Sequence, residues 1–587
     1  MGLLSRFDSS KRADNTVTET VTPVVNEKRS SGEQDIKPTS NPDAISFGKK
    51  QTGVKKVEAI TKVWTKWHLV AAYSIIWLIY FITSIEESVV RTLLPDITST
   101  FSKHSLSAAV TIVSSIIGGL TKLPLAKILD TWGRPQGLTL MLAIWVIGFI
   151  ITAAAPNIET YAAANVFSSV GAQGVSYCIT IFIADTSTLR NRALMLAFAT
   201  SPYIITTYVG GHVATSVSNG PGWRWGYGIW AIVCPIIVLP LSGLFIWNNQ
   251  KAKKQGLLDT TKTPLTWKRV YDYLVEIDIV GLLLLALGWT LFLLPFSMWS
   301  FQADKWRAPI IICFLVFGVL FLVSFIIWER YFAPVTFIPY KLLMDRTVFF
   351  GGIMFIFNFA AGAIWRGFFT SMLYVVWNLS KAEVGYIGGI YRVGSCFAAI
   401  PIGLIIRRSG RFKWAATFYA LPLMILGVGL MIHFRQASQS IGFIIMTQIF
   451  VALAGGPVVI AGEMAMMAPS DHQHVAVIMA ILDLFCSIGS AIGSAISSAI
   501  WTGTFYRELS VRLPAGAPID KIYANINWQT KFAPGSIERI AIQNAYGASQ
   551  RYMLIPSVCL LFCAWLCAWV WRDLDLEKND QVEGVVV

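Results

Sequence analysis

The chain has 587 residues, 55% of them hydrophobic and only 14% charged, and its mean hydropathy is +0.58. A soluble chain carries about 25% charged residues, so there is too little polar surface here to cover a water-soluble globule. The net charge of +14 would suggest nucleic acid in a soluble protein. In a chain this apolar it reads as the basic bias of cytoplasmic loops, and no nucleic-acid partner is expected.

Residues 1–60 are rich in Ser, Thr, Lys, Asp and Glu and poor in aromatics, the pattern of a disordered cytoplasmic tail. The first apolar run starts near Trp67, so the first helix is its own insertion signal. Runs long enough to span a bilayer then follow at 67–92, 106–129, 136–155, 158–184, 193–217, 226–248, 277–297, 308–328, 347–376, 383–406, 413–433, 440–466, 474–502 and 551–572. These give an all-α integral membrane protein with fourteen spans. The domain reading is a six-helix bundle over 61–250, a cytoplasmic loop at 251–276 and an extra helix pair at 277–330. C-terminal bundle helices follow at 331–502, a long extracellular loop at 503–550, the last helix at 551–572 and a cytoplasmic tail at 573–587.

Lys and Arg fix the expected orientation. Loops holding Arg134, Arg190, Arg192, Lys251, Lys253, Lys254, Arg407, Arg408 and Arg411 fall on one side, which places both termini in the cytoplasm. The eight cysteines all lie in apolar runs, so a disulfide framework is not expected. Cys559, Cys563 and Cys567 share a helix face, where small-residue packing is the plainer reading than a metal site.

An internal repeat organises the spans. Asp130-Thr-Trp-Gly133-Arg134 follows the second span, and Arg407-Arg-Ser-Gly410-Arg411 follows the tenth, its Gly-Arg pair 277 positions further on. Two six-helix halves with a helix pair between them explain the spacing. The first copy resembles the motif between helices two and three of the major facilitator superfamily. Ala126 departs from that motif's usual Gly, and Arg407 stands where the second copy usually has Asp. The resemblance implies a conformational latch at the inner face, carried by Asp130, Gly133, Arg134, Asp185, Arg192 and Arg411. A tight turn bearing surface charges is the plainer alternative.

The run Ile117-Gly-Gly-Leu-Thr-Lys-Leu-Pro124-Leu-Ala-Lys127-Ile-Leu-Asp130-Thr-Trp-Gly133-Arg134 is similar to the fungal siderophore–iron transporters. So is Phe532-Ala-Pro534-Gly535-Ser-Ile-Glu538-Arg539, with Ala545-Tyr546-Gly547 and Arg551. The resemblance extends from about Ala59 over nearly the whole chain. It implies proton-coupled import of ferric siderophores, mainly hydroxamates, by a protein at the plasma membrane or in endosomal vesicles, acting as a monomer in membrane lipid. The iron then passes still wrapped in its chelator, so no cofactor and no protein iron ligands are needed.

Ionisable groups inside a bilayer are costly, which makes each a candidate. Glu86, Glu87 and Arg91 lie in the far part of the first span, and Glu87 and Arg91 can pair at i, i+4. Arg366 lies at matching depth in the ninth span. The favoured reading is a proton-carrying carboxylate at Glu86 or Glu87, tuned by Arg91 and Arg366. Arg392, mid-span in the tenth helix, should face the cavity or a partner carboxylate. Asp483 and Glu463 are weaker candidates, and His212 titrates in a useful range. Tyr203, Tyr208, Trp365, Phe369 and Tyr374 are candidate aromatic walls for a bulky chelate. Trp528, Phe532 and Tyr546 of the long loop are candidates for a lid.

No Walker sequence, His-Glu-x-x-His, Cys-x-x-Cys or catalytic triad spacing is present in the sequence, so neither ATP nor enzymatic chemistry is expected. The alternative function is a proton antiporter or exchanger of drugs or glutathione-like molecules. The fifth span keeps the Gly210-Gly211 end of the antiporter pattern but not its Gly-Pro core. A substrate-sensing receptor ranks last, because both tails are short and featureless.

Overall fold

The computed structural model describes residues 63–100, 107–255, 267–299, 302, 304–334, 343–469 and 475–576, all within one compact unit. The expected N-terminal tail lies outside these residues, as do parts of the 251–276 loop and of the C-terminal tail.

Every regular element among the described residues is helical. The first half comprises α1 (Lys66–Thr100), α2 (Ser107–Thr131), α3 (Arg134–Ala154), α4 (Ile158–Thr186), α5 (Leu189–Thr200), α6 (Tyr203–Asn219) and α7 (Trp223–Lys254). A connecting segment holds α8 (Trp267–Glu276), α9 (Ile279–Leu293), α10 (Pro295–Met298) and α11 (Pro309–Tyr331). The second half comprises α12 (Arg346–Arg366), α13 (Phe369–Val376), α14 (Lys381–Ser409), α15 (Leu421–Phe434), α16 (Ile441–Met467) and α17 (Val475–Arg512), then the short α18 (Ile519–Ala524) and α19 (Ile526–Thr530), and α20 (Ile537–Val570). Among the described residues, thirteen spans are long and apolar enough to cross a membrane, and α9 is a shorter apolar helix. The all-α plan read from the apolar runs is the observed one.

Side-chain caps start several helices. Asn157 accepts from Thr160 N at 2.8 Å at the head of α4. Ser380 and Glu383 form a reciprocal capping box at the head of α14. Asp345 accepts from Thr347 N at the head of α12. Gly410 closes α14 with a φ of 66°, and Gly133 turns the chain between α2 and α3 with a φ of 117°, both values that disfavour a side chain.

Two seams join the halves: α2 lies against α17, and α5–α6 lie against α14. The extra helices α9 and α11 pack on each other, and α9 leans on α2. The two Gly-Arg turns mark one end of the bundle, called the motif end. The opposite end carries α18 and α19 and is called the cap end.

Three features depart from the apolar-run reading. The fifth span is split into α5 and α6 at Ser201-Pro202, because Pro202 has no amide to donate. The ninth is split into α12 and α13 at Gly367-Phe368, where Phe368 takes a left-handed φ of 55°. The expected 503–550 loop is mostly helix: α17 runs on to Arg512 and α20 starts at Ile537, leaving 513–536 between them.

A split helix frees carbonyls that lipid cannot satisfy. Arg435 donates to Trp365 O at 2.7 Å and to Gln550 Oε1 at 3.0 Å, and Gln550 donates to Gly367 O at 3.0 Å. At the far end of α13, Arg539 donates to Val375 O and Gln543 to Val376 O. Gly367 is required because a Cβ there would strike Ser497 Oγ and Met553. Phe368 stacks on Trp501, with ring centroids 4.2 Å apart. Arg435→Met should orphan acceptors that each cost about 1–3 kcal/mol. The apparent melting temperature of the purified protein in detergent should fall measurably, and an unchanged value contradicts this role.

Candidate functional site

Near the cap end, α1 and α14 bring opposite charges together. Glu87 lies 21 residues into α1, roughly 30 Å along it. Arg392 lies 11 residues into α14, roughly 16 Å from the start of that helix. Arg392 Nη2 meets Glu87 Oε1 at 2.5 Å, with side chains 28% and 42% exposed. The pair crosses from one half to the other and stays within reach of solvent. Arg392 also sits over the Tyr203 ring at 4.8 Å, and Tyr203 meets Tyr80 edge-on. Along the same seam His212 Nε2 and Tyr386 Oη are 2.6 Å apart, and Tyr208 packs on Tyr386.

Glu86 turns the other way. It is buried, and it acts electrostatically on Tyr227 and Cys234 of α7 as well as on Glu87 and Arg392. One residue along a helix is a turn of 100°, so the adjacent carboxylates serve different surroundings. Only Glu87 forms the ion pair across the seam.

The motif end carries a second crossing. Lys122 Nζ meets Asp483 Oδ2 at 3.1 Å between α2 and α17, and Glu463 of α16 lies within electrostatic range of Asp483. Tyr177 Oη donates to Ala476 O at 2.5 Å, and Arg190 Nε donates to Arg407 O at 2.7 Å. Gly119 lets α2 close onto Ser487 of α17.

The latch candidates that the structure describes find partners within their own half. Arg134 Nε contacts Asp185 Oδ2 at 2.9 Å, both side chains buried. Arg192 is fully buried and donates to Ala184 O at 2.9 Å. In the second copy Arg411 pairs with Asp573 at 3.3 Å, and Gly410 O accepts from Leu576 N. The side chains of Asp130 and Arg91 lie outside the described residues.

Several expected roles are redirected. Arg366 was expected to tune the first-span carboxylates. Its guanidinium instead stands over Trp365 at 5.3 Å and Tyr391 at 5.5 Å, and Arg392 takes the place against Glu87. Trp365, Phe369 and Tyr546 were expected to touch substrate, yet all three are buried in packing. Trp365 meets Tyr391 edge-on, Phe369 lies 4.2 Å under Arg435, and the Tyr546 hydroxyl donates to Gln529 at 2.8 Å. They fill the space that the split in the ninth span opens. Tyr374 and Phe532 pack partly buried against the cap-end cluster. Trp528 lies between Lys521 and Lys531, whose amines stand 5.3 and 4.6 Å from its ring. Sequence reasoning passed over Lys122 as part of a motif run and gave Arg435 no role. A lysine seven residues from the end of the 106–129 apolar run was the available signal for the first.

Residues 76–373 match the family model "Major Facilitator Superfamily". A "MFS siderochrome iron transporter 1" of Ajellomyces capsulatus is 49% identical over 540 residues, covering 92% of each chain. The chain belongs to the major facilitator superfamily, in its fungal siderochrome iron transporter branch. The "MFS siderochrome iron transporter D" of Aspergillus fumigatus is 42% identical, over 91% of this chain and 90% of its own length. "Siderophore iron transporter mirB" of Emericella nidulans is 36% identical, over 94% and 92%. Among solved structures, the proton:xylose symporter XylE superposes with a TM-score of 0.52 at 12% identity, covering 88% of this chain and 99% of that one. That likeness speaks to the fold alone. This superfamily member is thus a multi-pass membrane transporter, with the expected two-half plan plus two helices.

For the motif-end crossing, Lys122→Asp alone should put three carboxylates together and lower the melting temperature, by up to about 3 kcal/mol of stability. The exchange Lys122→Asp with Asp483→Lys should recover most of the loss. Equal melting curves for the single and double variants contradict the pairing.

Proposed function

We propose that this superfamily member imports ferric siderophore of the hydroxamate type by proton symport, as a monomer at the plasma membrane with both termini cytoplasmic. The substrate class rests on the names of its relatives, siderochrome and siderophore iron transporters in three fungi. The chelated iron is cargo, and the chelator supplies its ligands. The motif end is then the cytoplasmic end, and the loop 513–536 lies outside.

The observation that carries the coupling is the Glu87–Arg392 pair across the seam. Protonating Glu87 removes the charge that holds Arg392, and the two halves lose a contact at the cap end. The released guanidinium can donate to the oxygen-rich surface of a chelate, beside Tyr203 and Tyr208. Glu86, buried one residue back, is the second proton-accepting carboxylate. At the motif end the Lys122–Asp483 pair with Glu463 plays the opposing part, so that one crossing opens while the other holds. Breaking both at once leaves four charges between the halves without partners, a cost that disfavours a state open at both ends.

Uptake of radiolabelled ferric hydroxamate in yeast lacking its own siderophore carriers tests this reading. Uptake should rise as the medium is acidified and collapse with a protonophore. Glu87→Gln and Glu86→Gln should each lower gradient-driven uptake at least tenfold. Arg392→Gln should raise the apparent KM more than it lowers the maximal rate. Uptake that ignores the protonophore contradicts symport, and uptake that requires internal preloading favours the exchanger reading.

A further inference from the structure

Where the fifth and tenth spans end at the motif end, a cavity of about 490 Å³ lies between the halves. Arg190 and Asn191 line it from α5, and Leu404, Arg407 and Arg408 line it from α14. Three guanidinium groups share it, and the described lining residues include no carboxylate. Arg407 and Arg408 belong to the last turn of α14, where the helix pole favours cations. Arg190 is different. It sits in the first turn of α5, where the helix pole opposes a cation, and its Nε is already committed to Arg407 O at 2.7 Å. The fold therefore brings a third cation, from the opposite half, to the last turn of α14, whose pole draws it together with Arg407 and Arg408.

Such a cradle matches a doubly charged oxyanion. A phosphomonoester carries a charge of about −1.5 to −2 and three acceptor oxygens, and guanidinium groups recognise it in the bidentate fashion. The wall on the span side is apolar. Leu404, one turn deeper than Arg408, is 40% exposed, and Ile405 beside it is 45% exposed. A ligand with a charged head at the cavity and an apolar tail along α14 satisfies both surfaces. Basic pockets between spanning helices at the interface are sites for such headgroups.

We infer that the Arg190/Arg407/Arg408 cavity binds the phosphomonoester headgroup of an anionic phospholipid, which bridges the two halves. Bridging ties the start of α5 to the end of α14, so the bound lipid favours the conformation closed at the motif end. The site is separate from the Glu87–Arg392 crossing and does not depend on what the protein carries.

Purified full-length protein in detergent is titrated with dioctanoyl phosphatidylinositol 4-phosphate, dioctanoyl phosphatidylcholine, inositol 1,4-bisphosphate and inorganic phosphate, and the melting temperature is followed. The phosphomonoester lipid should raise it, with phosphatidylcholine giving no rise and the soluble phosphates at least tenfold weaker. Arg407→Gln with Arg408→Gln should weaken the lipid effect at least tenfold. A soluble phosphate that matches the lipid overturns the lipid assignment, and a double variant that responds like the parent overturns the site. The second measurement is independent of that variant's folding. In Leu404→Trp, acyl-brominated phosphatidylinositol 4-phosphate should quench the added tryptophan emission more than brominated phosphatidylcholine does. Equal quenching by the two lipids overturns the site as well.

Discussion

A charge inside a hydrocarbon layer must find its partner within the protein, and in this chain the decisive partners lie in the opposite half. Glu87 reaches Arg392 near one end, and Lys122 reaches Asp483 near the other. Each pair is made by a helix of the first bundle and a helix of the second. The cost of exposing either charge to lipid therefore becomes a force between bundles.

The two Gly-Arg turns act within their own halves. Arg134 is held to Asp185 and Arg411 to Asp573, so each turn stiffens one bundle. Rigid bundles joined by a few polar crossings suit motion by rocking around a central site. The split ninth span shows the same economy at the cap end. Arg435, Gln550, Arg539 and Gln543 supply donors to the carbonyls around Gly367-Phe368 and at the end of α13. Three of these four come from α20, so the long last helix and the 513–536 segment brace the opening that the split creates.

Much of the fold was legible in the sequence because lipid imposes one strong rule: spans are long and apolar. Fourteen runs, two Gly-Arg copies and the extra pair were readable on that basis. The breaks at Ser201-Pro202 and Gly367-Phe368 were not, because hydropathy is blind to which carbonyls a distant Arg435 or Gln550 will satisfy. The cap-end loop was misjudged in length for a related reason. Its flanking helices leave the apolar zone, and polar helix looks like loop to a hydropathy window.

The site was legible in kind but not in pairing. Depth along a helix placed Glu86, Glu87 and Arg366 at one level and Arg392 mid-span. Only the rotation of each helix decides that Glu87 pairs with Arg392 while Glu86 is buried, and that Arg366 rests on Trp365 and Tyr391. Aromatic content likewise could not separate Tyr203, under Arg392, from Trp365 and Tyr546, which are buried packing. In the proposed cycle the two crossings open in alternation. Pulsed electron-spin distances test it most directly, with labels at Ser216 and Ala382 across the cap end and at Lys253 and Ser409 across the motif end. As pH and substrate are varied, the first distance should lengthen when the second shortens, whereas two distances that stay fixed or lengthen together would contradict it.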